Sequence, residues 1–311
     1  MKKILITGGA GYIGSKLATK LLNMKYEVTI LDNLMFVNNS LNHLFSKKNF
    51  YFFKGDTNNK KFIKKHLKNK DIIIPLAALV GAPLCEKHKK LAKETNLNAI
   101  DYLVKNLKKK QKIIYPTSNS GYGIGEKNKY CDENSPLNPI SLYGKTKAEA
   151  EKKVLNFKNS VCFRLATIFG YSYRMRTDLL VNNFVYRAIK EKKISLFQPH
   201  FRRNYIHVDD VVDAFIFAIN NFPKVKGEIF NLGLSSANLT KLQLAKRIKK
   251  QVRELKIKII YNKKDPDQRD YFVSNKKIEK LGFKAKVSID QGIKELVSIF
   301  SHSKIEIKNN Y

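Results

Sequence analysis

Residues Lys3–Asp32 read KILITGGAGYIGSKLATKLLNMKYEVTILD, and this stretch decides the fold. KILIT is a short apolar run of strand-forming residues. Gly8, Gly11 and Gly14 follow directly, in G-x-x-G-x-x-G spacing. Tyr12 and Ile13 then open a segment with apolar residues at helical intervals, and EVTILD is a second strand. Strand, glycine turn, helix and strand in this order form the dinucleotide-binding fingerprint. Glycine permits a tight turn and a close backbone approach. The helix N-terminus then offers free N–H groups and partial positive charge to a pyrophosphate. Asp32 closes the second strand, 18 residues beyond Gly14. A carboxylate there suits the ribose hydroxyls and repels a 2′-phosphate, and no arginine is close in sequence. NAD is therefore expected over NADP.

Further along, the same alternation continues. NFYFFKGD is a strand, NKKFIKKHLK a helix, DIIIPLA a strand and LAKETNLNAIDYLVKNL a helix. KIIYPTS, LYGKTKAEAEKKVLNF and SVCFRLA add strand, helix and strand. Repeated so often, this pattern specifies an α/β fold: a Rossmann-type doubly wound parallel sheet covered on both faces. After Gly170 the rhythm changes. YSYRMRTDLLVNNFVYRAIKEKK is irregular and then helical. RRNYIHVDDVVDAFIFAI is strand and helix, GEIFNLG a strand, and TKLQLAKRIKKQ and SIDQGIKELVSIF are helices. The expected layout is an NAD-binding domain over 1–170, with 204–232 returning to it. A smaller C-terminal substrate-binding lobe then spans 171–311.

The composition narrows the function. The 311 residues carry 60 Lys+Arg against 26 Asp+Glu, a formal charge of +34. The excess is mostly lysine and is spread along the chain, with no basic tail or tract. It reads as solvated helix faces, and no nucleic-acid partner is expected. Such a field still steers an anionic substrate. The three cysteines, Cys85, Cys131 and Cys162, form no C-x-x-C, and the histidines have no ligand spacing. Reduced thiols, a cytoplasmic location and no metal are the expectation. IIIPLAALVGAPLC is the longest apolar run, interrupted by Pro75, Gly81 and Pro83. It is too short to span a bilayer, which takes about 20 residues, so no membrane association is expected.

A second motif lies at Ile140–Glu151, ISLYGKTKAEAE. Tyr143 and Lys147 stand four apart and share a helix face. Ser118 ends the KIIYPTS strand, 25 residues before Tyr143. A free phenol, with pKa near ~10, is a poor base at neutral pH; a neighbouring ammonium favours its phenolate. Tyr143 is then the expected base that takes a proton from a substrate hydroxyl while hydride leaves for NAD.

This combination resembles the short-chain dehydrogenase/reductase superfamily, and more closely its extended branch of NAD-dependent sugar-nucleotide epimerases and dehydratases. The resemblance covers nearly the whole chain, including Gly55–Asp56, Leu76–Ala78, Glu94–Asn96, Phe163–Gly170 and Arg202–Asp210. It implies that Ser118, Tyr143 and Lys147 are catalytic. It implies cofactor contacts from Gly8, Gly11, Tyr12, Ile13, Gly14, Asp32, Asn33, Asp56, Thr57, Leu76, Ala77, Ala78 and Asn96, and from Tyr143 and Lys147. For substrate it implies Ser118, Thr167, Arg174, Arg203 and Arg269, with the arginines on a nucleotide diphosphate. Thr167 stands where many relatives have Asn; Arg176 shares the Arg174 segment. A homodimer, packed through the helix that carries Tyr143, is also implied.

Dehydratases of this kind carry an acidic pair, or a Glu, just after the Ser/Thr; here Asn119 and Ser120 follow Ser118. Two enzyme outcomes remain open: a C4 epimerase working through a 4-keto sugar, and a C4 dehydrogenase that releases it. Stretches such as NSGYGIGEK, FRRNYIHV and DPDQRDY are similar to GDP-heptose 4-dehydrogenases of capsule pathways. The substrate is thus expected to be a GDP- or UDP-linked sugar destined for a cell-surface polysaccharide. The alternative is a non-catalytic nucleotide sensor or polyanion binder on the same fold.

Overall fold

The computed structural model describes residues 1–36, 39–126, 129–261 and 268–302. Its centre is a seven-stranded sheet in which every pair is parallel. The strand order is Glu228–Leu232, Ser160–Leu165, Lys112–Ser118, Ile72–Pro75, Lys3–Thr7, Glu27–Asp32 and Phe50–Lys54. Alternation of side chains explains the unbroken apolar runs. Ile4 and Ile6 enter one core with Leu17, Leu21, Val211 and Phe215, while Leu5 enters the other with Ile63, Ile100, Ala150 and Val154. Both faces are covered, so both sides of the central strands are apolar; the edge strand Phe50–Lys54 is partly exposed.

Strand order reverses at Lys3–Thr7. From there the chain builds first toward Glu27–Asp32 and Phe50–Lys54, then starts again on the other side with Ile72–Pro75. Helices diverge at such a switch point and leave a crevice beyond the carboxyl ends of the strands. The glycine turn after Thr7 and the loop after Pro75 are its two walls.

The strand Glu228–Leu232 joins the edge of this sheet, and the helix Val208–Asn220 packs on the same core as the first helix, Tyr12–Asn23. A second core gathers the helices Leu180–Lys190, Lys241–Gln251 and Ile289–His302. Small sheets accompany it. Thr167–Phe169, Arg202–His207 and Asn238–Thr240 form one; Lys193–Phe197 pairs with Lys256–Ile260, and Tyr130–Cys131 with Phe272–Val273. The sequence reading misses all of these strands except the one in RRNYIHV, including the alternating runs KISLF and KIKII. It also draws a continuous helix through LAKETNLNAIDYLVKNL. The structure has a π-helical turn at Glu94–Asn98 between Lys89–Lys93 and Ala99–Lys105. No helix among the described residues is long and apolar enough to cross a membrane.

A buried ion pair ties the helix Leu142–Leu155 to the strand Ser160–Leu165. Arg164 Nη2 lies 2.7 Å from Glu151 Oε1, both side chains being at most 5% exposed. Arg164 also donates to the Tyr122 hydroxyl at 3.0 Å. The Glu151→Ala variant leaves the guanidinium buried without its carboxylate. It should lose about 3–5 kcal/mol of stability, measured by urea unfolding.

Candidate active site

The crevice is a continuous cleft of about 500 Å³. Its first wall is the glycine turn. Gly8 sits at φ +69°, and a Cβ there would lie 2.5 Å from the Ala77 nitrogen. Gly14 closes the helix against the turn, because a Cβ would fall 2.6 Å from the Gly9 Cα. Gly11 is the N-cap of the helix and supplies no side-chain cap, so the first helical N–H groups face the cleft without one. That geometry suits a pyrophosphate. Asp32 stands beside it and accepts from the Ala10 N–H at 3.0 Å and the Leu34 N–H at 2.8 Å. The carboxylate thus fastens the turn while still lining the cleft. Burial pushes its carboxyl up; the two N–H groups and the Arg174 charge oppose that rise.

Arg174 corrects the sequence reading, which finds no arginine near Asp32. The fold brings it there from the second half of the chain, with its guanidinium 4.9 Å from the Phe36 ring centre. Burial pulls Arg174 down to about 10, so it remains cationic at neutral pH.

The far end of the cleft holds the Tyr143 group. Ser118 ends its strand and caps the tight turn Asn119–Tyr122, accepting from the Ser120 N–H at 3.1 Å. Ser141 caps the next helix by accepting from the Gly144 N–H at 3.1 Å, which sets Tyr143 and Lys147 on its inward face. Ser118 and Tyr143 line the same end of the cleft. Lys147 is 5% exposed, with its ammonium 4.1 Å from the Tyr115 ring centre. Burial pulls Lys147 down to about 7, against the pull of Cys162, Glu151 and Cys85. Burial likewise pushes the Tyr143 phenol up, opposed by the Arg269 charge, the nearby Ser118 hydroxyl and the Arg176 charge. The sequence reading assigns the lowering of this phenol to Lys147. In the structure the opposing cations are the two arginines, because burial disfavours the charge on Lys147 itself.

The second half of the chain adds the remaining cations. Arg203 is 2% exposed at the start of its strand, and Arg269 lies beside Ser120 and Tyr271. Asp265, Pro266 and Asp267 of the DPDQRDY stretch lie outside the described residues, as does Lys127 of NSGYGIGEK. Arg176 is paired with Asp178, and both line the cleft.

All the residues singled out from the sequence line this cleft except Asn96. Gly8, Gly11, Tyr12, Ile13, Gly14, Asp32, Asn33, Asp56, Thr57, Leu76, Ala77 and Ala78 fall in the dinucleotide half. Ser118, Tyr143, Lys147, Thr167, Arg203 and Arg269 fall beyond it, and Arg174 bridges toward Asp32. Asn96 is 1% exposed and grips Leu79 on both backbone groups, at 2.8 Å and 2.9 Å. It holds the loop after Pro75 from beneath, in place of the expected cofactor contact. Sequence reasoning missed Lys241, which lines the cleft at 3% exposure and bonds the Phe197 carbonyl. Its place at the first turn of an ordinary surface-patterned helix carries no signal. Ser120 was read only as a missing acid.

Comparison with known proteins gives the cleft a family. The sequence matches the NAD dependent epimerase/dehydratase family over residues 4–233, and the chain belongs to that family. Similar proteins include an Arabidopsis thaliana trifunctional UDP-glucose 4,6-dehydratase/UDP-4-keto-6-deoxy-D-glucose 3,5-epimerase/UDP-4-keto-L-rhamnose-reductase. It is 26% identical over 323 residues, which span 97% of this chain and 47% of that protein. The chain thus spans about half the length of that relative. A crystal structure of Thermotoga maritima UDP-glucose 4-epimerase with UDP-glucose superposes at TM-score 0.82 with 25% identity. The match covers 95% of this chain and 97% of that one. Bacillus anthracis dTDP-glucose 4,6-dehydratase in complex with NAD shares the fold at TM-score 0.84 and 23% identity, over 96% of each chain. NAD is the cofactor of this family, and the uncapped helix and glycine cradle fit its pyrophosphate.

Two outcomes follow. Asp32→Ala should weaken NAD binding about 10- to 100-fold in a calorimetric titration, since a charged hydrogen-bond acceptor is removed. With the negative charge near Arg174 removed, the same variant should bind NADP better than the parent does. Lys147 is charged in the unfolded chain up to its ordinary 10.5 but only to about 7 when folded. Between those values the unfolded state binds more protons, so stability of the NAD-free protein rises with pH. Lys147→Met should be more stable than the parent below about pH 7, with the difference shrinking toward 10.5 as measured by urea unfolding at several pH values.

Proposed function

We propose that the protein is an NAD-dependent oxidoreductase acting at C4 of a nucleotide-diphosphate sugar. Tyr143 takes the proton of the C4 hydroxyl; NAD, when bound, would be the oxidant that accepts the hydride. Ser118 hydrogen-bonds the reacting oxygen, and Lys147 holds the nicotinamide ribose. Arg203 and Arg269 receive the diphosphate, whose negative charge suits the cationic second half of the cleft. In this reading residues 1–170 with 204–232 hold the dinucleotide, and the remainder of 171–311 carries the sugar nucleotide. Two chains associate through the helix bearing Tyr143.

The observation that carries the reading is the surroundings of Ser118. The position two residues on, where an eliminating enzyme needs an acid or base, is a serine hydroxyl engaged by Arg269. Asn119 is turned into the protein at 1% exposure. The other carboxylate near the reacting end, Asp178, is tied to Arg176. Among the described residues, the positions that follow Ser118 offer no acid or base for removal of a C5 proton and of the C6 hydroxyl. Oxidation at C4 needs none beyond Tyr143, Ser118 and Lys147. Return of hydride to the opposite face gives a 4-epimerase; release of the keto sugar gives a 4-dehydrogenase. The GDP-heptose resemblance favours a role in cell-surface polysaccharide sugars.

The test is to incubate the NAD-loaded protein with UDP-, GDP- and dTDP-hexoses. The C4 epimer, or a 4-keto sugar with NADH, is the product to follow. A 4-keto-6-deoxy sugar would contradict the reading. Tyr143→Phe should lower turnover about 100-fold or more while NAD stays bound, and undiminished turnover would remove Tyr143 as the base.

A further inference from the structure

Phe36, from the first half of the chain, and Arg174, from the second, meet across the cleft. Phe36 lies four residues beyond Asp32, on the side of the glycine turn. Its ring nevertheless packs against the cluster of Leu79, Leu84, Cys85 and Ala92, on the side of the loop after Pro75. The Arg174 guanidinium lies over the same ring, 4.9 Å from its centre. Phe36, Arg174, Leu79 and the glycine turn all line the cleft. The ring and the guanidinium therefore join its two walls.

The backbone that carries Arg174 is fastened to the first helix. The Tyr12 hydroxyl donates to the Gly170 carbonyl at 2.5 Å, and the Ser172 hydroxyl to the Tyr12 carbonyl at 2.6 Å. Lys16 donates to the Tyr171 carbonyl at 3.0 Å. On the other side the Tyr171 N–H donates to Glu295 at 3.0 Å, and the Asn182 amide to the Arg176 carbonyl at 2.8 Å. The segment thus keeps a fixed relation to the helix N-terminus that faces the cleft.

Charge says what this cation serves. A dinucleotide pyrophosphate brings two negative charges. Among the described residues that line the cleft, residues 1–170 supply one cation, Lys147, at the Tyr143 end. Beside the glycine turn the same stretch supplies carboxylates, Asp32 and Asp56. Arg176 is committed to Asp178, Lys241 bonds the Phe197 carbonyl, and Arg269 sits at Ser120. Arg174 is the guanidinium carried by the segment fastened to the phosphate-facing helix. Its fork suits phosphate oxygens, and an aromatic face holds that fork in one plane.

We propose that Arg174, seated on Phe36, is a cofactor-binding residue: the pair closes over the dinucleotide, and the guanidinium supplies positive charge to the pyrophosphate and slows release of NAD. This takes the place of the substrate contact that the family resemblance implies for Arg174. It rests on NAD as the cofactor of the family and is independent of the reaction at C4.

The experiment follows cofactor exchange without turnover. Full-length protein is loaded with isotopically labelled NAD, freed of excess by gel filtration and chased with unlabelled NAD, and the label kept by the protein is measured over time. Arg174→Gln should release NAD about 10- to 100-fold faster than the parent, the loss expected for a charge-assisted bond to phosphate. Phe36→Ala should also speed release. Arg174→Lys should fall between Arg174→Gln and the parent, since it keeps the charge and loses the planar fork. UDP and GDP, titrated calorimetrically into the NAD-saturated proteins, should bind Arg174→Gln as tightly as the parent. An unchanged rate of NAD release in Arg174→Gln overturns the proposal, and weaker UDP or GDP binding alongside it would return Arg174 to the sugar nucleotide. If Arg174→Gln does not fold, the same comparison on Arg174→Lys decides. Failure to act at C4 of any sugar nucleotide would defeat the proposed reaction and leave the exchange result standing.

Discussion

Everything in this protein hangs on the approach of the backbone at Gly8 to the backbone at Leu76–Ala77. The left-handed turn and the missing Cβ let the first strand's loop and the loop after Pro75 meet across the switch point of the sheet. That contact fixes the floor of the cleft. The first helix then points its uncapped N-terminus at one place, and the strand ending in Ser118 delivers its hydroxyl at another. The Asn96 clamp on Leu79 keeps the second loop from yielding. A side chain at Gly8 would force these walls apart, and the distance between pyrophosphate site and Tyr143 would no longer be set by the sheet.

Charge is distributed unevenly along this cleft. The dinucleotide half has Asp32 and Asp56, partly satisfied by backbone N–H groups at Ala10, Leu34 and Asn58. The other half is dominated by Arg174, Arg176, Arg203, Arg269 and Lys241, drawn from the second half of the chain. A phenol and an amine sit between them under heavy desolvation. Burial works against both charged forms, lifting Tyr143 and lowering Lys147. A bound oxidised nicotinamide would bring positive charge into that balance. The site is therefore set to respond to what fills it, and its titration in the free protein is not its titration during turnover.

Much of this was legible in the sequence because the decisive signals are local. The glycine spacing, Asp32 at a strand end, and Tyr143 with Lys147 one helical turn apart each declare a geometry within a few residues. What distant parts of the chain do to one another was not legible. Arg174 comes to Asp32, Arg269 comes to Ser120, and neither stretch has a pattern that says so. The resemblance implies a cofactor contact from Asn96; in the structure its amide is engaged by the Leu79 backbone of the loop above it. The strands Lys193–Phe197 and Lys256–Ile260 pair with each other across some sixty residues of chain, and that pairing has no local signal. The effect of Lys147 on Tyr143 was inferred from charge alone, and burial, which a sequence does not display, reverses part of it.

The most direct test of the central claim, that this cleft holds NAD with its nicotinamide against Tyr143, is a mass-spectrometric one. Purified protein is denatured and the released small molecules are identified, before and after incubation with added NAD. Recovery of NAD or NADH in proportion to protein, with a loss of that retention in Asp32→Ala, is the result the account predicts. A protein that carries no dinucleotide as isolated and retains none after incubation would contradict it.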